Sequence, residues 1–394
     1  MIKQIGDACT GCFACMSACP KRCISSECRE FGHAYPVVDE MTCIECGECL
    51  RVCHAYGARP FALFSGKAFA AQANDNEILS TSSSGGVFAV IAREFIERGG
   101  VVYGVAWEKG SAAKHRRVDT VEGLECLRRS KYVQSDTRGI YEAIESDLVR
   151  GSSVLFSGVP CQVAALYEYL GRHPDNLVTI DLICHGVPSA RLFGEYLSWL
   201  EGDTGSKIAD YRSRDKAKAG WSCLGSIRLM CADSNSSKSY YTIPADDPYT
   251  LLFNAGVDFR ESCYTCRYAN GDRVGDITLG DFWGVEPLDL PIDIKKGVSA
   301  VLANSERGLD TIDSLVNEMS LIEVRYSDIA RKNSNLNAPS MCPEIRSQLN
   351  EEYNRGGFRA VVPAIRVALR RDIIKNKIKR MLPTGLITLI KKRR

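Results

Sequence analysis

The sequence predicts two architectures in one chain of 394 residues: a small α+β module at the N-terminus, and an α/β domain with a mostly parallel sheet plus antiparallel insertions. Three observations predict this. Eight of the first 53 residues are cysteines in two copies of one spacing. From residue 137 to 200, short apolar runs alternate with helical patterns, the signature of strands crossed over by helices. Between residues 205 and 245, alternating segments around polar turns read as antiparallel strands.

The first copy of the spacing is Cys9, Cys12, Cys15 and Cys19; the second is Cys43, Cys46, Cys49 and Cys53. Each reads C-x2-C-x2-C-x3-C, the run that wraps a 4Fe-4S cube. Three close thiolates curl a loop around one cube, and the fourth is carried away on a short helical turn. In two-cluster ferredoxins that fourth cysteine reaches the other cube. The ferredoxin-like module, residues 1–60, is therefore expected to place Cys9, Cys12, Cys15 and Cys53 on one cluster. Cys43, Cys46, Cys49 and Cys19 fall on the second. The first copy is followed by Pro20, the second by His54. Zinc is the alternative, but a zinc site needs only four ligands, usually two separated C-x2-C pairs.

The following elements can be taken in order. His33 to Val38 reads as a hairpin strand, and residues 61–80 as a polar connection ending in Ser80 to Gly86. Val87, Ile91 and Phe95 share a helical face; Gly99 and Gly100 then precede an apolar strand from Val101 to Trp107. Helices are expected over Ile140 to Val149, Cys161 to Leu170 and Ser189 to Leu200, with buried strands over Val154 to Val159 and Leu177 to Cys184. Continuous apolar strands between helices argue for a parallel sheet. Ile227 to Cys231 and Ser239 to Ile243 read as antiparallel strands, and Val298 to Ala303 with Gly308 to Val316 as a last strand–helix pair.

Four more cysteines fall at strand ends or in loops: Cys161, Cys184 and the pair Cys263 and Cys266. Parallel strands would deliver the first two to one carboxyl edge, where such sheets place ligands. A C-x2-C pair brought over them completes a four-thiolate set; buried cysteines acting as small hydrophobes are the alternative. Cys126, Cys223, Cys231 and Cys342, lacking paired spacing, take that second reading, and Cys23 and Cys28 fit neither clearly.

The segments Ser82 to Gly86, Ser130 to Ser135, Gly158 to Gln162, Cys184 to Ser189 and Gly275 to Gly284 resemble the beta-subunit family of coenzyme F-420 hydrogenase and formate dehydrogenase. The resemblance spans about residues 1 to 340. It implies FAD and an iron–sulfur cluster, so that Cys161, Cys184, Cys263 and Cys266 become ligands of a third 4Fe-4S cluster. It also implies that Ser84, Gly85 and Gly86, opening directly onto a helix, hold the FAD pyrophosphate against backbone N–H groups. An ordinary cap or turn is the alternative there. Lys131 and Tyr132 would neutralise and stack on the flavin, and Asp281 would line its pocket or only cap a turn. No P-loop and no G-x-G-x-x-G after a strand is present. No nucleophile–base pair is evident among the five histidines, and His185, beside Cys184, is positioned to tune a cluster.

Composition sets the remaining bounds. Eighteen cysteines without a signal-peptide pattern imply reduced thiols and a cytoplasmic setting, and no run of about 18 apolar residues predicts a membrane span. Phe358 to Arg394 carries a net charge of +11, which leaves −9 on residues 1–357 for a total of +2. The basic residues sit in one tail rather than among aromatics on a binding face, which argues against a nucleic-acid partner.

Three units are expected: the cluster module 1–60, a FAD and iron–sulfur oxidoreductase unit 61–340, and a basic helical tail 341–394. The tail segment Ala364 to Met381 is amphipathic, and peripheral contact with an anionic membrane face is one reading of it. The function expected is an iron–sulfur flavoprotein oxidoreductase exchanging electrons with a partner protein and hydride with a deazaflavin-like or other small acceptor. The alternative is a non-enzymatic subunit that hands electrons to a separate enzyme.

Overall fold

The protein is described by a computed structural model covering residues 1–57, 66–108, 112–231, 237–244, 246–371 and 373–375. A two-stranded antiparallel hairpin near the N-terminus pairs β1 (Ile24–Cys28) with β2 (Ala34–Val38). The main body is built on β3 (Ala68–Ala73), β4 (Val101–Trp107), β5 (Ala113–Val118), β6 (Val154–Gly158) and β7 (Leu177–Leu182), completed by later strands. Next come β8 (Ser206–Arg212), β9 (Gly225–Cys231) and β10 (Ser237–Thr242), which form a separate antiparallel sheet in the order β10-β9-β8. The chain then returns to the main sheet with β11 (Ile277–Asp281), β12 (Ser299–Ala303) and β13 (Met319–Val324).

The large sheet has eight strands in the order β13-β3-β12-β11-β7-β6-β4-β5. Its centre, β4, β6, β7 and β11, is parallel, with Val154 opposite Leu177 and Ile180 opposite Ile277. The flanks are antiparallel: β5 beside β4 on one side, and β12, β3 and β13 on the other. Alternation along each strand sends side chains to both faces. Leu155, Val178, Ile180 and Leu279 pack under the helix Val87–Glu97 and beside Ile312 of the helix Glu306–Asp313. Val154, Phe156 and Leu177 pack under the helices Ile140–Val149 and Pro160–Leu170. With both faces covered, the central strands read as continuous apolar runs.

Several strands, β1, β3, β5 and β13 among them, were not legible as such. Residues 66–80, expected as polar connection, contain β3, in which all six residues are buried. The run Ala-Phe-Ala-Ala-Gln-Ala has weak intrinsic strand preference, and burial between β12 and β13 overrides it. The rest of that expected connection, 61–65, lies outside the described residues. The strand β5, Ala-Lys-His-Arg-Arg-Val, is an edge, and its charged side chains mask the pattern.

The final helix, Arg346–Ala368, is kinked where Gly356 and Gly357 leave helical geometry. Its second half packs into the body: Phe358, Val361, Val362 and Ile365 join a core with Tyr196 and Leu200. This part of the expected tail is therefore core. The expected amphipathic segment 364–381 is described only to residue 371 and over 373–375. Among the described residues no helix is long and apolar enough to cross a membrane.

Candidate metal centres

The two cysteine runs fold as copies of one loop. Gly11 and Phe13 take left-handed backbone angles in the first (φ 67° and 54°), and Glu45 and Gly47 do so at the matching places in the second (φ 54° and 80°). Each loop ends in a single helical turn, Ala14–Ser17 and Glu48–Arg51, which carries the fourth cysteine away. The fourth cysteine of each run lies near thiols of the other run. Cys12 and Cys15 lie within electrostatic reach of Cys9 and Cys53. Cys19 lines a cavity of about 370 Å³ with Cys43, Cys46 and Cys49.

Burial pushes the Cys12 thiol up to about 12, and burial likewise raises Cys15 and Cys53, with neighbouring sulfurs adding to it. Thiolates so dry and crowded are disfavoured until positive charge joins them, which is the donor set an iron–sulfur cube takes. Among the described residues no three His, Cys, Asp or Glu side chains are grouped to hold a single ion.

The first loop is fastened to the main body through its carbonyls. Thr137 Oγ1 and Tyr141 OH donate to Cys12 O at 2.5 and 3.0 Å, and Gln134 Nε2 donates to Thr10 O and Gly11 O, both at 3.1 Å. Arg260, fully buried, donates to Cys9 O at 3.4 Å and to Gln134 Oε1 at 2.9 Å. Gly11 permits this close approach, since a Cβ would stand 2.4 Å from the Gln134 amide and 2.5 Å from the Arg260 guanidinium.

The third set forms at the carboxyl edge of the parallel strands. Cys161 opens the helix after β6, and Cys184 follows β7 by two residues. The loop bearing Cys263 and Cys266 is stitched over them: Pro188 bridges Phe259, and Arg260 N donates to Val187 O at 3.1 Å. Arg273 anchors the far side of that loop, pairing with buried Asp181 at 2.8 Å and donating to Tyr268 O. Burial raises all four thiols, Cys184 to about 12 and Cys263 to about 11. Cys161 feels Cys184, Cys266 and Cys263, and beyond them Cys12 of the first set.

Tyr141 and Tyr268 occupy the space between these two sets, each within reach of both Cys12 and Cys161. Tyr268 OH bonds His54 Nδ1 at 2.5 Å, and His54 Nε2 bonds Thr10 Oγ1 at 2.9 Å. Burial holds the His54 imidazole down to about 3, so it stays neutral.

The six residues expected at a flavin have different fates. Ser84 Oγ donates to Val298 O at 2.9 Å, and Gly85 N donates to Ser299 Oγ at 3.0 Å. A Cβ on Gly85 would lie 2.2 Å from Ala71 O, so its close approach is to β3. Gly86 opens the helix Val87–Glu97 with no side-chain cap. Lys131 Nζ donates to the carbonyls of Cys126, Leu127 and Arg128 at 3.1, 3.1 and 2.6 Å.

Tyr132 and Asp281 converge on Arg214, a residue that no motif or spacing singles out. Arg214 Nη1 donates to Asp281 at 2.9 Å and to Tyr132 OH at 3.2 Å, and the guanidinium lies over Trp283 at 5.3 Å. Trp283 stacks on Trp221 at 4.8 Å, and Trp221 Nε1 also donates to Asp281. Tyr132 stacks on Phe253, which touches His185, the neighbour of Cys184. His185 Nδ1 itself bonds Asn335 Oδ1 at 3.0 Å.

Residues 151–328 match the family model for the C-terminal part of the beta subunit of coenzyme F420 hydrogenase/dehydrogenase. Residues 8–57 match the 4Fe-4S dicluster domain. No curated protein matches the chain. Among solved structures, a chain of the F420-reducing NiFe hydrogenase complex from Methanosarcina barkeri is similar at 18% identity and a TM-score of 0.45, covering 76% of this chain and 96% of that one.

Proposed function

We propose that this protein is an iron–sulfur flavoprotein oxidoreductase that relays single electrons through three 4Fe-4S clusters. Cys9, Cys12, Cys15 and Cys53 would hold one cluster, Cys43, Cys46, Cys49 and Cys19 a second, and Cys161, Cys184, Cys263 and Cys266 a third. The observation that carries the reading is the contiguity of the thiol sets, with Cys12 within reach of Cys161. Cubes supply one-electron steps, and a flavin would supply the conversion to hydride. The chain's own part is to bury the thiols, fill the gap with Tyr141 and Tyr268, and hold His54 neutral beside Cys53.

The flavin half rests on the family match and on fit in part. The uncapped start of the helix after Gly86 suits an anion, and Tyr132, Arg214 and Asp281 offer a ring and paired charge. Gly85 and Lys131 are committed to structural contacts, which favours the second reading: a subunit that passes electrons to a separate enzyme. In the flavoprotein reading, hydride would go to a deazaflavin-like or other small acceptor.

Anaerobically purified protein is expected to contain on the order of twelve irons per chain, four for each cube, and one FAD. Stoichiometric zinc without visible charge-transfer absorbance overturns the reading. Full iron without flavin, and no turnover of a soluble hydride acceptor by the chain alone, selects the electron-transfer role.

A further inference from the structure

Five thiols line the second cavity: Cys19, Cys43, Cys46 and Cys49, and also Cys23. A cube takes four protein thiolates, so one is surplus. By spacing the surplus residue is Cys23, which stands four positions past Cys19 and outside the run. Its sulfur nevertheless lies 3.5 Å from Cys19 Sγ and interacts with the Cys43 thiol.

The local backbone enforces this contact. Arg22 N donates to Cys19 O at 3.1 Å, and Arg22 takes a left-handed φ of 50°. The chain thus reverses tightly between the two cysteines. Asp39 N donates to Cys23 O at 2.8 Å, which pins Cys23 at the head of β1. Only 9% of Cys23 is exposed, and it lines the same cavity as the other four. A thiol serving merely as a small hydrophobe needs apolar neighbours alone; this one has two sulfurs beside it.

We propose that Cys23 is a fifth working thiol of the second cluster site. With four ligands in place, its S–H donates a hydrogen bond to the Cys19 thiolate. When the Cys19 sulfur is missing, Cys23 takes over that corner: an iron–sulfur bond to Cys23 forms as its thiol proton leaves to water, and no electrons change hands. The proposal rests on reading Cys19, Cys43, Cys46 and Cys49 as ligands.

Full-length variants reconstituted anaerobically with iron and sulfide test it, by iron content and by electron paramagnetic resonance of the reduced protein. Cys19→Ala is expected to keep the full iron content, whereas Cys19→Ala/Cys23→Ala loses about four irons. Loss of about four irons by Cys19→Ala alone overturns the proposal. The cluster reading is checked separately by Cys46→Ala, which should lose about four irons; full iron there overturns that reading instead. In Cys23→Ala, removal of the donor should lower the midpoint potential of one cluster at unchanged iron content. An unaltered potential and spectrum in that variant overturns the hydrogen-bonding role.

Discussion

Gln134 donates its side-chain amide to the carbonyl of Gly11 at 3.1 Å, tying the Ser130 to Ser135 motif to the first cysteine loop. A glycine suits the place: its φ of 67° is left-handed, and a side chain there would have to displace Gln134 and Arg260. Gly11→Val should combine left-handed strain of about 1–2 kcal/mol with overpacking of about 1–3 kcal/mol. We expect a lowered urea midpoint together with loss of about four irons. Full iron at unchanged stability would reject the fastening role of this contact.

Gly85→Val acts through the sheet. A Cβ at that position meets the Ala71 carbonyl at 2.2 Å and the Ser299 amide at 2.6 Å, both backbone atoms unable to swing aside. The variant should be destabilised by about 1–3 kcal/mol. Ser84→Ala, which loses one hydrogen bond to Val298 O, should cost about 1 kcal/mol. Chemical denaturation compares the two, and equal stability of Gly85→Val and wild type would refute the packing argument.

Asp258 gives a pH dependence. It is fully buried, and burial raises it to about 7, against the opposing pull of its own backbone N–H and of Arg346. In the unfolded chain an aspartate titrates near ~3.9. Between about pH 4 and 7 the folded chain therefore keeps a proton that the unfolded chain has released, so stability falls as pH rises through that window. Above it the cost is fully present, on the order of a few kcal/mol. Asp258→Asn should match wild type near about pH 4 and exceed it by roughly that amount at about pH 8. Parallel stability curves for the two proteins would contradict this.

Truncation separates the core from the charged end. A cut after Gly357 removes Phe358, Val361, Val362 and Ile365 and should unfold the core around Tyr196, since each buried side chain contributes about 1.5–3 kcal/mol. A cut after Lys375 spares them while removing seven Lys and Arg residues and no acid. If the end contacts membranes, full-length protein should co-sediment with anionic vesicles at low salt, at about 1 kcal/mol for each basic residue, and the Lys375 cut should not. Equal sedimentation of both forms removes the membrane role.

The two cysteine loops were legible because their code is local: spacing alone carries a loop and a helical turn. The central strands were legible because burial on both faces leaves unbroken apolar runs, as in Val154 to Gly158. What was hidden depends on distant partners. Arg214 meets Asp281 and Arg260 meets Gln134 only through the fold, and nothing in their neighbouring sequence marks either arginine. Cys23 carried a signal, a cysteine one turn past a ligand run, that spacing templates pass over. His54 was visible only as a departure from Pro20, and its bond to Tyr268 explains the departure.

The duplicated loop is a symmetry that the rest of the molecule breaks. Where the first copy has Gly11 pressed against Gln134 and Arg260, the second has Glu45, an exposed residue. Cys46 is exposed, and Met41 and Ile44 beside that loop are 96% and 57% exposed, whereas Cys15 at the first loop is buried. Two halves with one backbone thus acquire an indoor and an outdoor end. Another molecule arriving at this module finds more of the second loop at the surface than of the first.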